Sequence, residues 1–141
     1  MPVDRAKKIE IAPGVYCYDR REWKYELCEN YRTVTRILPP VDYHTKFISL
    51  NTAGVLSIKK GYAWDGPSGP THDDIQGWLA SLIHDALCQL MFEGLLDAKF
   101  KKRVDKELVR VAKESGMPYF RRRAWYRAVR WFAPRYKGAK K

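Results

Sequence analysis

A histidine and an aspartate are neighbours in the stretch SLIHDALCQL, whose other residues are mostly apolar and spaced as in a helix. An ionisable side chain on a buried helix face costs free energy unless another group pairs with it. His84 and Asp85 therefore need partners, either within the packed core or within a chemical site.

Another aspartate, later in the chain, is placed to pair with His84. Apolar residues at helical spacing predict one helix over about 74–90 and a second over about 100–112, with a break at Gly94. In an antiparallel hairpin of these helices, His84 and Asp105 each lie about 15 Å from the turn, at about 1.5 Å per residue. A carboxylate facing an imidazole fixes its tautomer and raises its basicity, which prepares a general base. We therefore expect His84 and Asp105 to form a catalytic pair.

The loop before the first predicted helix, GPSGP, is rich in small residues. Small residues let backbone carbonyls turn inward, and carbonyls together with a carboxylate are the ligands that Ca²⁺ prefers. Asp85 projects about 100° around the helix from His84, toward a different neighbour. Asp65 adds a second carboxylate beside the loop, although Asp65 and Ser68 would also suit a capped turn. A metal held here would stabilise the oxyanion formed when an activated water attacks a carbonyl.

The order of the motifs WDGPSGP, ASLIHDALCQ and RVDKEL resembles the phospholipase A2 superfamily. It is most similar to the compact, disulfide-free version in parvovirus capsid proteins, with motifs G-P-G, A-A-x-x-H-D-x-x-Y and A-D-x-x-F. The resemblance implies calcium-dependent hydrolysis of phospholipid esters. It implies His84 as general base, Asp105 as its partner, Asp85 as calcium carboxylate, and Gly66 and Ser68 as backbone ligands.

The chain from residue 61 to about 132 also resembles a bacteriophage and prophage family of unknown function. That family shows a G-F-x-x-D-G-x-S-x-P loop, an H-D-x-L-Y helix, an A-D-x-x-F helix and a final basic aromatic helix. The likeness implies a phage origin and assigns no activity. Both families have tyrosine four residues after the histidine, whereas this chain has Cys88, and Val104 replaces the alanine before Asp105.

The residues before the loop are typical of strands. Alternating, aromatic-rich and β-branched stretches predict a hairpin that turns near Glu29 and Asn30, and another that turns at Asn51 to Gly54. We expect a single α+β domain over 1–141, with an N-terminal antiparallel sheet of about four strands and a C-terminal three-helix unit containing a helical hairpin. Its parts are the strands over 1–64, the loop over 65–73, the helices over 74–132 and a basic tail over 133–141.

Positive charge is concentrated at the C-terminus. From Lys99 to Lys141 there are 16 Lys and Arg residues against 3 Asp and Glu, within a chain of net charge +11. This asymmetry favours an anionic partner, either a phospholipid surface or nucleic acid. The residues expected to contact it lie on a third predicted helix, about 119–132, and are Arg121, Arg122, Arg123, Trp125, Arg127, Arg130 and Trp131. The alternative is that the aromatic residues enter the core and the arginines face water.

The remaining features concern location and competing functions. The three cysteines fit no disulfide or zinc pattern, the N-terminus MPVDRAKKIE is charged rather than apolar, and no apolar run could span a membrane. We expect reduced thiols, synthesis in a host cytoplasm and association with a virion. Phage structural proteins are then alternative partners, and a non-enzymatic virion or accessory protein is an alternative function, as is a nucleic-acid-binding protein. The order His72, His84, Asp85, Asp105 also imitates that of metal phosphohydrolases.

Overall fold

The computed structural model describes residues 7–19, 25–66 and 75–131. The predicted α+β class is confirmed, and within these residues eight strands precede three helices. The strands are β1 (Lys7–Ala12), β2 (Val15–Asp19), β3 (Tyr25–Leu27), β4 (Tyr31–Val34), β5 (Tyr43–His44), β6 (Ile48–Leu50), β7 (Val55–Ile58) and β8 (Ala63–Trp64). The helices are α1 (Trp78–Phe92), α2 (Lys101–Glu114) and α3 (Tyr119–Trp131).

The strands form two antiparallel sheets of four, where the sequence suggested about four strands in all. One sheet has the order β1-β2-β3-β8 and the other β4-β7-β6-β5. The sequence missed β1, β2 and β5, and it did not separate β8 from β7. The first two form a hairpin that places Ile9 opposite Cys17, so that strand alternation turns Cys17 into the core.

The predicted hairpin at Glu29 and Asn30 is wrong. β3 pairs with β2 and β8, whereas β4 pairs with β7 in the other sheet. The connection is fixed by hydrogen bonds to distant residues, including Lys60 N–H to the Asn30 side-chain oxygen at 2.9 Å. Residues 28–30 therefore carry the chain from one sheet to the next, which two alternating stretches in sequence do not reveal.

The hairpin predicted at Asn51 to Gly54 is confirmed, with Leu50 opposite Leu56 across β6 and β7. The Asn51 side chain accepts the N–H groups of Ala53 and Val55, an Asx-type turn. Gly54 has φ +85°, and a Cβ atom there would lie 2.5 Å from a backbone oxygen of Thr35. Only glycine fits this turn without displacing the backbone.

The helical half matches the predicted periodicity. α1 ends before Gly94, α2 ends before Gly116, and both glycines have positive φ, as is typical at the C-terminal ends of helices. α2 packs against α1 on one side and against α3 on the other. Within the described residues no helix has the length and apolar character needed to cross a bilayer.

A continuous core joins the sheets to α1 and α2. Trp64 of β8 is buried and donates its indole N–H to Ser81 of α1 at 3.0 Å, which fixes the height of α1 against the first sheet. Burial of side chains of this size is the main stabilising term in such a fold. The consequence for function is that α1 is held rigidly between a sheet and α2.

Candidate active site

His84 and Asp105 meet across the helical hairpin. The imidazole Nε2 lies 2.7 Å from Asp105 Oδ1, and both residues are buried, with 7% and 0% of their surface exposed. The contact predicted from their mirrored positions about the turn is therefore present. Because a carboxylate only accepts hydrogen bonds, Nε2 carries a proton and donates, which leaves Nδ1 as the acceptor in the neutral ring.

Two further cations hold the Asp105 carboxylate in place. Lys101, one turn earlier on α2, donates to both carboxylate oxygens at 2.9 and 2.7 Å, and Arg130 of α3 donates to Oδ2 at 2.9 Å. The Lys101 ammonium also reaches the backbone oxygen of Val129 at 3.0 Å. Asp105 therefore connects α1, α2 and α3, and its orientation toward His84 is fixed. Sequence reasoning missed Lys101, although its i, i+4 spacing from Asp105 was a usable signal.

The electrostatics of the pair follow from burial and contact. Burial by itself lowers the pKa of His84, but the neighbouring Cys88 sulfur and the Asp105 carboxylate outweigh it and raise that pKa to about 10. Burial raises the pKa of Asp105, but hydrogen bonds from His84 and Lys101 outweigh it and hold that pKa below its usual value. At neutral pH the Asp105 carboxylate is therefore ionised and the His84 imidazole is in its protonated, positively charged form.

Cys88 contacts the imidazole ring of His84. Its Sγ lies 3.7 Å from Nδ1 and 3.8 Å from Nε2 of His84, one helical turn away on the same face of α1. The sequence indicated a small core residue here, and Cys88 is indeed buried, at 5% exposed. What the sequence did not indicate is the contact with the histidine.

A cavity of about 230 Å³ opens beside this group. Its walls are residues 62–65 on one side and Asp85, Cys88, Gln89 and Phe92 of α1 on the other. His84 and Asp105 are not among the described residues that border it. A molecule in the cavity would therefore meet the sulfur of Cys88 before it met the imidazole.

The residues expected to bind calcium are brought together in part. Asp65 and Asp85 border the same cavity, whereas Gly66 is buried against the Tyr25 ring, with φ +83° and a Cβ position 2.9 Å from that ring. Ser68, like His72, lies outside the described residues. Within residues 7–19, 25–66 and 75–131 no three His, Cys, Asp or Glu side chains are grouped as metal ligands. Two carboxylates are nevertheless the hard oxygen donors that suit Ca²⁺.

The residues of α3 expected to contact a partner fall into two sets. Trp125 is 3% exposed and packs over Gly77, so it is not placed for surface contact, whereas Arg130 donates to Asp105 and keeps 34% of its side chain exposed. The expectation is wrong for Trp125, because this side chain is buried where α3 packs against the other helices. On the outer face, Trp131 is 79% exposed. Also outside the core are Arg121, Arg122, Arg123 and Arg127.

A second concave surface lies between α2 and α3. We call it the α2–α3 groove; it has a volume of about 430 Å³. Its accessible surface is largely apolar, although most of the side chains around it are basic. It is lined by Lys106, Val109, Arg110, Lys113, Tyr119, Arg122, Arg123 and Tyr126. Arg110 pairs with Glu107 and Glu114, so part of the positive charge is neutralised within the protein.

Comparisons of the chain with protein-family models, with curated proteins and with solved structures found no match.

Proposed function

We propose that this protein is a phage-derived hydrolase of lipid esters, similar to phospholipase A2, in which His84 is the general base. The observation that carries the proposal is the 2.7 Å contact between Nε2 of His84 and Asp105 Oδ1, in a buried pair beside a cavity. A base held in one tautomer by a fixed carboxylate is the central part of such a site.

In this proposal the protein supplies proton transfer and orientation. His84 accepts a proton at Nδ1 as the nucleophile attacks the ester carbonyl, and the Asp105 carboxylate stabilises the imidazolium that results. Lys101 and Arg130 keep the carboxylate from turning away. Asp105 is thus a positioning residue that acts through His84.

The proposal includes a calcium ion, whose ligands would be Asp85, Asp65, the Gly66 backbone and Ser68. When bound, the ion would supply a positive charge to an ester oxygen. Asp65 and Asp85 border the cavity, which supports their part in this set. The test is the melting temperature, which millimolar Ca²⁺ should raise by mass action in wild type and much less in Asp85→Asn. An equal shift in both proteins would remove Asp85 from the site.

The test of the activity is fatty acid release from anionic phospholipid vesicles, compared between wild type and His84→Gln. Because an imidazole must be neutral to accept a proton and the pKa of His84 is raised to about 10, the rate should climb with pH up to that value. His84→Gln keeps a donor toward Asp105 but cannot accept the proton, so its rate measures background hydrolysis. If both proteins release fatty acid equally at every pH, the proposal is wrong.

A second candidate function is carried by the α2–α3 groove: binding of single-stranded nucleic acid. The rim cations match backbone phosphates, and Tyr119 and Tyr126 offer rings on which bases could stack. Arg123 donates to the Tyr119 hydroxyl at 3.3 Å, which places a guanidinium next to one of these rings. This function would not require His84, and a virion protein that packs against nucleic acid would have the same surface.

The groove is tested with a fluorescent oligonucleotide in a salt titration. Lys106→Gln and Arg123→Gln should each weaken binding and reduce the slope of log K against log salt by about one. Arg127→Gln is the control, because Arg127 is an exposed α3 arginine outside the groove walls. If all three variants weaken binding equally, the α2–α3 groove is not the site and only general charge attracts the oligonucleotide.

A further inference from the structure

Three side chains follow one another from the cavity into the core. Cys88 borders the cavity, its Sγ is 3.7 Å from His84 Nδ1, and His84 Nε2 is 2.7 Å from Asp105 Oδ1. Asp105 accepts the hydrogen bond from Nε2, and the sulfur, almost equidistant from Nδ1 and Nε2, contacts the imidazole ring without lying along the Nδ1 lone pair. A thiol, an imidazole and a carboxylate in this sequence of contacts are the parts of a nucleophilic site.

From this arrangement we propose that Cys88 is the nucleophile of the site and forms an acyl-thioester with the substrate. The inference rests on the proposed hydrolase function of His84 and names the group that His84 activates. The substrate class is a carbonyl ester or thioester small enough at its reacting end for a cavity of about 230 Å³. A simple water mechanism is less consistent with the structure, because Cys88 stands between the cavity and the imidazole.

The reaction has two balanced steps. In the first, which requires the neutral form of His84, the Cys88 thiol gives its proton to His84 Nδ1, its sulfur bonds to the carbonyl carbon, the bond to the leaving oxygen or sulfur breaks, and His84 returns the proton to the leaving alcohol or thiol. In the second, water attacks the thioester while His84 takes its proton. The sulfur leaves as the carboxylic acid forms, and the proton restores the thiol.

Position separates Cys88 from the other two cysteines. Cys17 and Cys28 are also buried free thiols. Cys17 lies in β2 and Cys28 directly follows β3, and neither is among the described residues that line the cavity. Burial raises the pKa of Cys17 to about 12, with the nearby Cys28 and Asp19 acting in the same direction. These two thiols are therefore internal controls for the reactivity of Cys88 in the same molecule.

The walls also suggest selectivity by charge. Asp65 and Asp85 border the cavity near the sulfur, so an anionic reagent should be disfavoured relative to a neutral one of the same size. Iodoacetamide is neutral and iodoacetate is anionic, and the two reagents are of similar size. We expect the ratio of their rates at Cys88 to favour iodoacetamide more strongly than the ratio measured with free cysteine.

The experiment uses the full chain with its three cysteines. Wild type is mixed with p-nitrophenyl acetate, and the peptide containing Cys88 is examined for an acetyl group that neutral hydroxylamine removes, as it does from a thioester but not from a lysine amide. Cys88 should also react with iodoacetamide at least roughly tenfold faster than Cys17 or Cys28, and His84→Gln should remove this advantage. Vesicle hydrolysis is measured in Cys88→Ala and Cys88→Ser, each with its melting curve.

The outcomes separate this inference from the function on which it rests. Loss of hydrolysis by roughly a hundredfold or more in folded Cys88→Ser, with a labile acetyl group on wild-type Cys88, supports the nucleophile. Hydrolysis that needs His84 but survives in Cys88→Ala overturns the nucleophile and leaves His84 acting on water. A labile acetyl group on Cys88 without release of fatty acid keeps the nucleophile and overturns phospholipid as the substrate. If neither Cys88 variant folds, the wild-type acetyl and alkylation results decide, and unreactive Cys88 overturns the inference.

Discussion

Two carboxylates on α2 are equally buried but occupy different surroundings. Asp105 accepts hydrogen bonds from His84 of α1, Lys101 of α2 and Arg130 of α3, whereas Glu107 faces the segment that follows β4. Glu107 accepts the backbone N–H of Arg36 at 2.9 Å and the guanidinium of Arg110 at 2.6 Å. Their exposed fractions are 0% and 2%, so burial does not distinguish them.

The difference lies in what each carboxylate is connected to. Glu107 joins a loop to a helix, and its partners are a backbone amide and an arginine on its own helix. Asp105 is connected through His84 to Cys88 and so to a cavity. Buried carboxylates with charged partners occur in structural networks as well as in active sites. A carboxylate that is linked to a cavity through another titratable side chain is a better candidate for a catalytic role.

The largest effect should come from removing the base while keeping both carboxylates. His84→Gln should lower ester hydrolysis by about 10²–10⁴-fold, the contribution of a positioned general base. Glu107→Gln should leave the rate within about twofold, because Glu107 touches neither His84 nor the cavity walls in the described structure. Initial rates with the same vesicle preparation measure both. A similar loss in the two variants would show that activity follows overall stability.

Removing the Asp105 carboxylate should cost more stability than any change at Glu107. Asp105→Ala leaves Lys101 and His84 buried without their anion, and breaking a buried ion pair in this way costs about 3–5 kcal/mol. Urea unfolding at neutral pH, followed by far-UV circular dichroism, measures the change. If the cost is below about 1 kcal/mol, the network is not the feature that holds the three helices together.

The structural carboxylate should show a smaller effect. Glu107→Gln keeps one oxygen for the Arg36 amide but loses the charged contact with Arg110, whose side chain is 23% exposed, so we expect about 1–3 kcal/mol. The same unfolding experiment applies. Glu114→Gln is the matched control, because it removes the exposed partner of the same arginine and should cost less than about 1 kcal/mol.

The pH dependence of stability should sharpen the comparison. The folded-state pKa of Asp105 is lowered, so its stabilisation is present above the unfolded value near 3.8 and is lost as pH falls further. The pKa of His84 is raised, so its stabilisation is present below the unfolded value of 6.5 and is lost as pH rises toward about 10. The melting temperature should therefore be highest between the unfolded-state pKa of Asp105, near 3.8, and that of His84, 6.5. His84→Gln should flatten the alkaline side, and Glu107→Gln should leave it unchanged.

The sequence was most informative where structure depends on local spacing. The period of apolar residues located the three helices, and counting outward from Gly94 placed His84 opposite Asp105. Helix geometry is regular, so two positions at equal distances from a turn lie at the same height in any antiparallel hairpin. The local turn at Asn51 was predictable for a similar reason, since one side chain supplies its hydrogen bonds.

Features decided by distant contacts could not be predicted in this way. β3 and β4 have the same alternating character, yet their partners lie in different sheets, because any alternating strand fits any half-buried sheet edge. Trp125 has a residue type that is common on surface-binding helices, and only the packing of α3 buried it; the same packing brings Arg130 to Asp105. A pattern reports which side of an element is apolar, and the identity of its neighbour is a property of the whole fold.

The sequence by itself determined the α+β class, the helical hairpin and the facing positions of His84 and Asp105, because each follows from the period of the side chains. The tertiary structure alone decided that Arg130 holds Asp105, and that Cys88 lies between His84 and a cavity. Those contacts bring together α3, α2, α1 and β8, which pack at heights and angles set by the core between them. The i, i+4 spacing within one helix indicates the contacts of Lys101 with Asp105 and of Cys88 with His84, but it does not indicate Arg130 or the cavity.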